Sequence, residues 1–221
     1  MSSDFQNRTE AGRILAERLG HYANQPDVIV LGLPRGGVPV AFEVAKRLRA
    51  PLDVVVVRKL GSPRDSELAM GALAEGGVRV LNQPVLRGMD VPDDALKTAT
   101  ENQERELERR VITYRKGFQA PVLRDKTVIL VDDGIATGSV MRAAIQSIKA
   151  AHPARLVAAV PTSSREAAFE LRPEVDELVA LLTPEPFFGV GGSYADFRQT
   201  SDAEVCALLH QARSSRMAMN L

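Results

Sequence analysis

The chain has one cysteine, Cys206, in 221 residues. A lone thiol cannot close an intramolecular disulfide, which excludes a disulfide-stapled fold and fits a reducing cytoplasm. No apolar run approaches the roughly 18 residues that a membrane-spanning helix needs. The opening Met1-Ser2-Ser3-Asp4-Phe5-Gln6-Asn7-Arg8 has no basic region leading into an apolar stretch, so no secretion signal is legible. Lys plus Arg number 28 and Asp plus Glu 28, so no net charge draws the protein to nucleic acid or to an acidic membrane. His21, His152 and His210 stand in no ligand spacing, and a metal held by protein groups alone is not expected. Hydrophobic residues make up 45%, ordinary for a globular protein, and the length suits one domain over 1–221 with a sizeable core.

Short apolar runs alternate with amphipathic stretches, the pattern of parallel strands joined by helices. Strands are expected at Val28–Leu31, Val54–Val57, Val128–Val131, Leu156–Val160 and Glu177–Leu182. Helices are expected over 9–20, Val40–Leu48, 93–116, the stretch after Thr137, Arg165–Leu171 and 202–212. The helix over 93–116 is highly charged and reads as a solvated crossover. Leu68–Ala74 and Val78–Leu81 flank Glu75-Gly76-Gly77 as an antiparallel hairpin. The expected fold is α/β: a doubly wound, mostly parallel sheet with helices on both faces. A flap over 58–82 and a small C-terminal hood over 184–200 complete it.

The most informative stretch is Val128-Ile129-Leu130-Val131-Asp132-Asp133-Gly134-Ile135-Ala136-Thr137-Gly138-Ser139-Val140. Ligands of an open parallel sheet bind beyond the carboxyl ends of its strands. A helix N-terminus offers free N–H groups and a partial positive charge, which suit a phosphate. Gly138 lets the backbone approach such a group, and Thr137 and Ser139 add hydroxyl donors. Asp132 and Asp133 would repel a phosphate and are suited instead to accepting hydrogen bonds from neutral sugar hydroxyls. Two aspartates that simply cap the next helix are the plain alternative. No Gly-Lys-Ser/Thr triphosphate loop is present, and the aspartates are adjacent rather than in the Asp-x-Asp-Gly of aspartate-nucleophile phosphatases.

The thirteen residues resemble the 5-phosphoribosyl 1-pyrophosphate (PRPP) motif of type I phosphoribosyltransferases: an apolar strand, two acids, a short variable stretch, then Thr-Gly. The resemblance implies that Asp132 and Asp133 hold the ribose hydroxyls while Ala136, Thr137, Gly138 and Ser139 wrap the 5-phosphate. Many members carry Thr where this chain has Val140. Leu31-Gly32-Leu33-Pro34-Arg35-Gly36-Gly37 is similar to the family's pyrophosphate loop, which gives Arg35, Gly36 and Gly37 the leaving group. Lys59, ahead of Arg58, matches the basic residue that opens the catalytic loop, with Arg64 placed to reach across a closed site. The family further implies Mg2+ arriving with the substrate, a nitrogenous base as acceptor, and a homodimer.

The acceptor side is less determined. Phe187 or Phe188 resembles the aromatic that stacks on a purine in hypoxanthine-type members, and equally the pair would pack beneath the last helix. Ser193 stands where those members have a metal-binding aspartate. Ala136 replaces their acidic general base, and Val160-Pro161-Thr162-Ser163-Ser164 lacks their base-reading lysine. Adenine-type members share the alanine. A PRPP-sensing regulator of the same fold, and a sugar-phosphate hydrolase, are the rival functions.

Overall fold

The computed structural model describes residues 4–61, 69–75, 77–89 and 92–219. In chain order the elements are α1 Arg8–Arg18, β1 Val28–Gly32, α2 Gly37–Leu48, β2 Leu52–Val54, β3 Val57–Gly61, β4 Ala69–Ala74, β5 Val78–Leu81, α3 Gln83–Gly88 and α4 Asp93–Arg115. They continue with β6 Thr127–Val131, α5 Ser139–Ala150, β7 Arg155–Thr162, α6 Arg165–Leu171, β8 Glu177–Leu182 and α7 Asp202–Met219.

Five strands form a parallel sheet in the order β2-β1-β6-β7-β8. Every residue of β1 and β6 is buried, which explains why both read as unbroken apolar runs rather than alternating ones. Alternate side chains feed two cores. Val28, Val30, Ile129, Val131, Val157 and Ala159 join α1, α2 and α7 on one face. Ile29, Leu31, Val128, Leu130, Leu156 and Ala158 join α5 and α6 on the other. The expected doubly wound sheet is therefore observed.

The valine run from Val54 to Val57 differs from expectation. It divides between two sheets: Val54 ends β2, whereas Val57 begins β3 in a separate antiparallel sheet, β3-β4-β5. The hairpin pairing of β4 with β5 is as expected. Arg64 and the loop around it lie outside the described residues.

The helix α4 is not simply a solvated crossover. It packs on β3, β4 and α7, and it buries Leu107, Tyr114 and Arg115. Arg115 reaches the Glu75 carboxylate, donates to the Val54 carbonyl at 3.2 Å and stands 3.4 Å from Asp53. Arg213 of α7 lies 3.7 Å from the other Asp53 oxygen. This buried charge cluster ties the edge strand β2, the hairpin, α4 and α7 together. Removing one member strands a charge in a dry environment, at a cost of about 3–5 kcal/mol. Arg115→Met should accordingly lower the unfolding free energy in urea titrations by about 3 kcal/mol or more. Arg165→Gln, which breaks the exposed pair with Glu185, should change it by less than about 1 kcal/mol.

Candidate functional site

The strands β1 and β6 are neighbours, yet the chain leaves them in opposite directions. From β1 it passes through α2 to β2, and from β6 through α5 to β7. Such a switch point opens a crevice at the carboxyl ends of the two strands. The turn 33–36 and the loop 132–138 both rise there, side by side. Gly32 pairs with Val131, and the Leu33 N–H bonds the Val131 carbonyl at 2.9 Å.

The Gly36-Gly37 turn leans directly on the acidic doublet. A Cβ on Gly37 would sit 2.8 Å from Asp132 Cα and Oδ1 and from the Val131 carbonyl. A Cβ on Gly36 would overlap the Asp133 carboxylate. Glycine is required here by close approach, since Gly36 has an ordinary φ of −61°. The Pro34–Arg35 peptide bond in this turn is cis.

The two aspartates do not cap α5. Its N-cap is Gly138, in the left-handed region at φ 75°, and no side chain caps the helix. Asp132 Oδ1 instead accepts the Asp133 N–H at 2.8 Å. The entrance to α5 is open: Ala136 and Thr137 are exposed, and the Thr137 and Ser139 hydroxyls lie 3.2 Å apart. Val140, in the first turn, is 38% exposed. An uncapped, exposed N-terminus with a left-handed glycine is a ready anion cradle.

Electrostatically the doublet is under tension. Burial, and then the neighbouring Asp133 charge, push the Asp132 carboxyl well above the ordinary carboxylate range. Burial also raises Asp133, but less, because Arg8 counteracts it. Arg8 donates from Nε to Asp133 Oδ2 at 2.7 Å. The Tyr194 hydroxyl donates to the Asp133 carbonyl at 2.5 Å. Arg8 is part of no motif legible in the sequence, and Tyr194 lies within the expected hood but had no role assigned there.

Arg35 turns toward α7, 3.9 Å from Asp202, whose carboxylate also takes the Tyr114 hydroxyl at 2.7 Å. Arg58 faces α4, donating to Gln103 at 2.9 Å. Burial lowers its pKa, with Arg110 adding to the effect. Strand alternation puts Lys59 on the opposite face, shared with Val57, which packs in the core of α5. Leu60 shares the Arg58 side and packs in the core of α4. Phe188 is 77% exposed, which excludes its packing beneath α7, and Phe187 is half-buried. The Ser193 hydroxyl is buried and bonded to Thr162 Oγ1 at 3.0 Å. Just after β7, Ser163 bridges Ile135, and Ser164 Oγ donates to the Ala136 carbonyl at 2.7 Å. A cavity of about 430 Å3 between the hairpin and α4 has none of these candidates in its lining, although Leu73, the cross-strand partner of Arg58, is part of it.

The model of the phosphoribosyl transferase domain matches residues 5–191. The chain belongs to this family. It is 49% identical over 208 residues to the "Putative phosphoribosyl transferase Rv0571c" of Mycobacterium tuberculosis, a match covering 94% of this chain and 47% of that protein. The chain thus spans about half the length of the curated relatives it matches. Among solved structures, TT1426 of Thermus thermophilus superposes with a TM-score of 0.81 at 42% identity, covering 94% of this chain and 98% of that one. A hypoxanthine-guanine phosphoribosyltransferase of Bacillus anthracis shares the fold at a TM-score of 0.50 and 11% identity, over 91% of this chain and 95% of that one.

A carboxyl raised by burial binds its proton more tightly in the folded than in the unfolded protein. Folding stability therefore falls as pH rises above the ordinary carboxylate range, with a slope set by this difference in bound protons. Asp132→Asn should raise the melting temperature in calorimetry at pH 7 to 8. The gain should vanish below about pH 4, where the unfolded carboxyl is itself protonated.

Proposed function

We propose that this phosphoribosyltransferase domain binds PRPP with magnesium and transfers the phosphoribosyl group to a nitrogenous base, releasing pyrophosphate. The contact of the Gly36-Gly37 turn with the Asp132-Asp133 doublet, beside an uncapped helix N-terminus, carries this reading. It sets two backbone surfaces suited to phosphates on either side of two acceptors suited to hydroxyls.

In this reading the 5-phosphate enters the cradle of Ala136, Thr137, Gly138 and Ser139, accepting from the first-turn N–H groups of α5. Asp132 and Asp133 accept from the ribose 2- and 3-hydroxyls and so fix the ring. The Arg35-Gly36-Gly37 turn receives the pyrophosphate, and Lys59, Arg58 and Arg64 are the basic groups assigned to its far side. Arg35 would have to exchange Asp202 for the substrate. At 3.9 Å that pair is a loose one. As the bond from C1 to the pyrophosphate oxygen breaks, its electrons leave with the pyrophosphate, and positive charge develops at C1 beside the carboxylates. The acceptor nitrogen then bonds to C1 and gives up a proton. Phe188, exposed on the hood, is available to stack on its ring.

The donor set fits magnesium in this role. The ion takes one or two carboxylates plus phosphate oxygens and keeps several waters, and Asp132 and Asp133 are the carboxylates at hand. When bound, it would neutralise charge on the departing pyrophosphate.

The decisive assay is pyrophosphate release from PRPP with magnesium and, in turn, adenine, guanine, hypoxanthine, xanthine, uracil and orotate. Turnover with at least one base is expected, and Gly36→Ala should reduce it at least a hundredfold, because the added methyl displaces Asp133. Tight PRPP binding without turnover on any base would point to a sensor rather than a transferase. Release of inorganic phosphate would point to a hydrolase.

A further inference from the structure

The residue that holds Asp133 comes from the far end of the chain. Arg8 lies in the first turn of α1, 125 residues before its partner, with its side chain only 11% exposed. Besides its 2.7 Å bond to Asp133, it donates from NH1 to the Arg198 carbonyl at 2.8 Å. Its guanidinium lies over the Phe197 ring, 3.9 Å from the centroid. Phe197 stacks in turn on Tyr194, whose hydroxyl holds the Asp133 carbonyl. The N-terminal segment is stitched to the same place: the Phe5 N–H bonds the Ser193 carbonyl, and the Ala195 N–H bonds Phe5. One guanidinium thus joins α1, the hood and the acidic doublet.

We propose that Arg8 is a positioning residue for the sugar site, aiming the Asp133 carboxylate at the ribose hydroxyls. This rests on the PRPP reading above. The planar guanidinium uses its donors on two different elements while its face rests on an aromatic ring, a combination that Lys cannot reproduce. Among the described residues, the groups facing Asp133 are Arg8 from α1, Asp132 from its own loop, the Tyr194 phenol from the hood, and the backbone of Gly36. Arg35, in the same turn as Gly36, is engaged with Asp202. Among the described residues, Arg8 is the cation bonded to this carboxylate, and it opposes the upward push of burial. Without it, the Asp133 carboxylate loses the bond that fixes its direction, and the ribose hydroxyls lose an oriented acceptor.

The test compares wild type, Arg8→Met and Arg8→Lys, each with its thermal melt recorded. PRPP with magnesium, and separately inorganic pyrophosphate with magnesium, are titrated into each by calorimetry at one pH. In parallel, the Arg8 side-chain N–H signal is compared by nitrogen NMR, without ligand, in wild type and Asp133→Asn. Arg8→Met should bind PRPP at least tenfold more weakly than wild type while its affinity for pyrophosphate changes less than twofold, and Arg8→Lys should recover only part of the loss. Unchanged PRPP affinity in Arg8→Met, or an equal loss for PRPP and pyrophosphate, would reduce Arg8 to a packing role and overturn the proposal. If wild type bound no PRPP while the Arg8 signal still moved in Asp133→Asn, Arg8 would retain its hold on Asp133 and the sugar-site reading would be the part that fails.

Discussion

The site depends on one close approach, the backbone of Gly36 and Gly37 pressed against Asp132 and Asp133. No side chain fits between them. Because β1 and β6 are adjacent and in register, their carboxyl-terminal loops must share the same space. Only a turn without side chains lets the second loop bring two carboxylates into it. The apolar runs of the two strands supply the rigidity. Their alternate residues are anchored in separate cores on the two faces of the sheet, so neither loop can shift without disturbing both.

The same closeness makes the site electrostatically uneasy. Two adjacent carboxylates are half-buried among backbone and aromatic groups, and among the described residues one guanidinium is bonded to Asp133. A protein selected for stability alone would not arrange them so. Local departures of this kind are expected where function, rather than folding, sets the sequence. The buried cluster of Asp53, Glu75, Arg115 and Arg213 is different in character. Its charges are matched by neighbours and serve to fasten α4 and α7 around the edge of the sheet.

Much of the fold was legible from periodicity, because β1, β6 and the apolar face of α5 follow simple rules of burial. The stretch that resembles a PRPP motif was legible because its parts are consecutive in the chain. What escaped is non-local. Nothing in Val54-Val55-Val56-Val57 marks where the chain leaves one sheet for another, since both cores accept valine. The packing of α4 was hidden by its charged surface, although Leu107 and Tyr114 lie a helical repeat apart on one face. Arg8 could not be found from spacing, because its partner is 125 residues away and its aromatic bed lies in the hood. For Lys59 and Arg58, the sequence left a choice that strand alternation sharpens, by giving the two side chains opposite faces.

The central claim is that the doublet and the helix entrance together grip a phosphorylated sugar. Calorimetric titration of PRPP, with magnesium present, into wild type and into Asp132→Asn combined with Asp133→Asn tests it most directly. Binding to wild type and its loss in the double variant, with folding intact by circular dichroism, is the predicted result. Equal affinity in the two proteins would contradict the account.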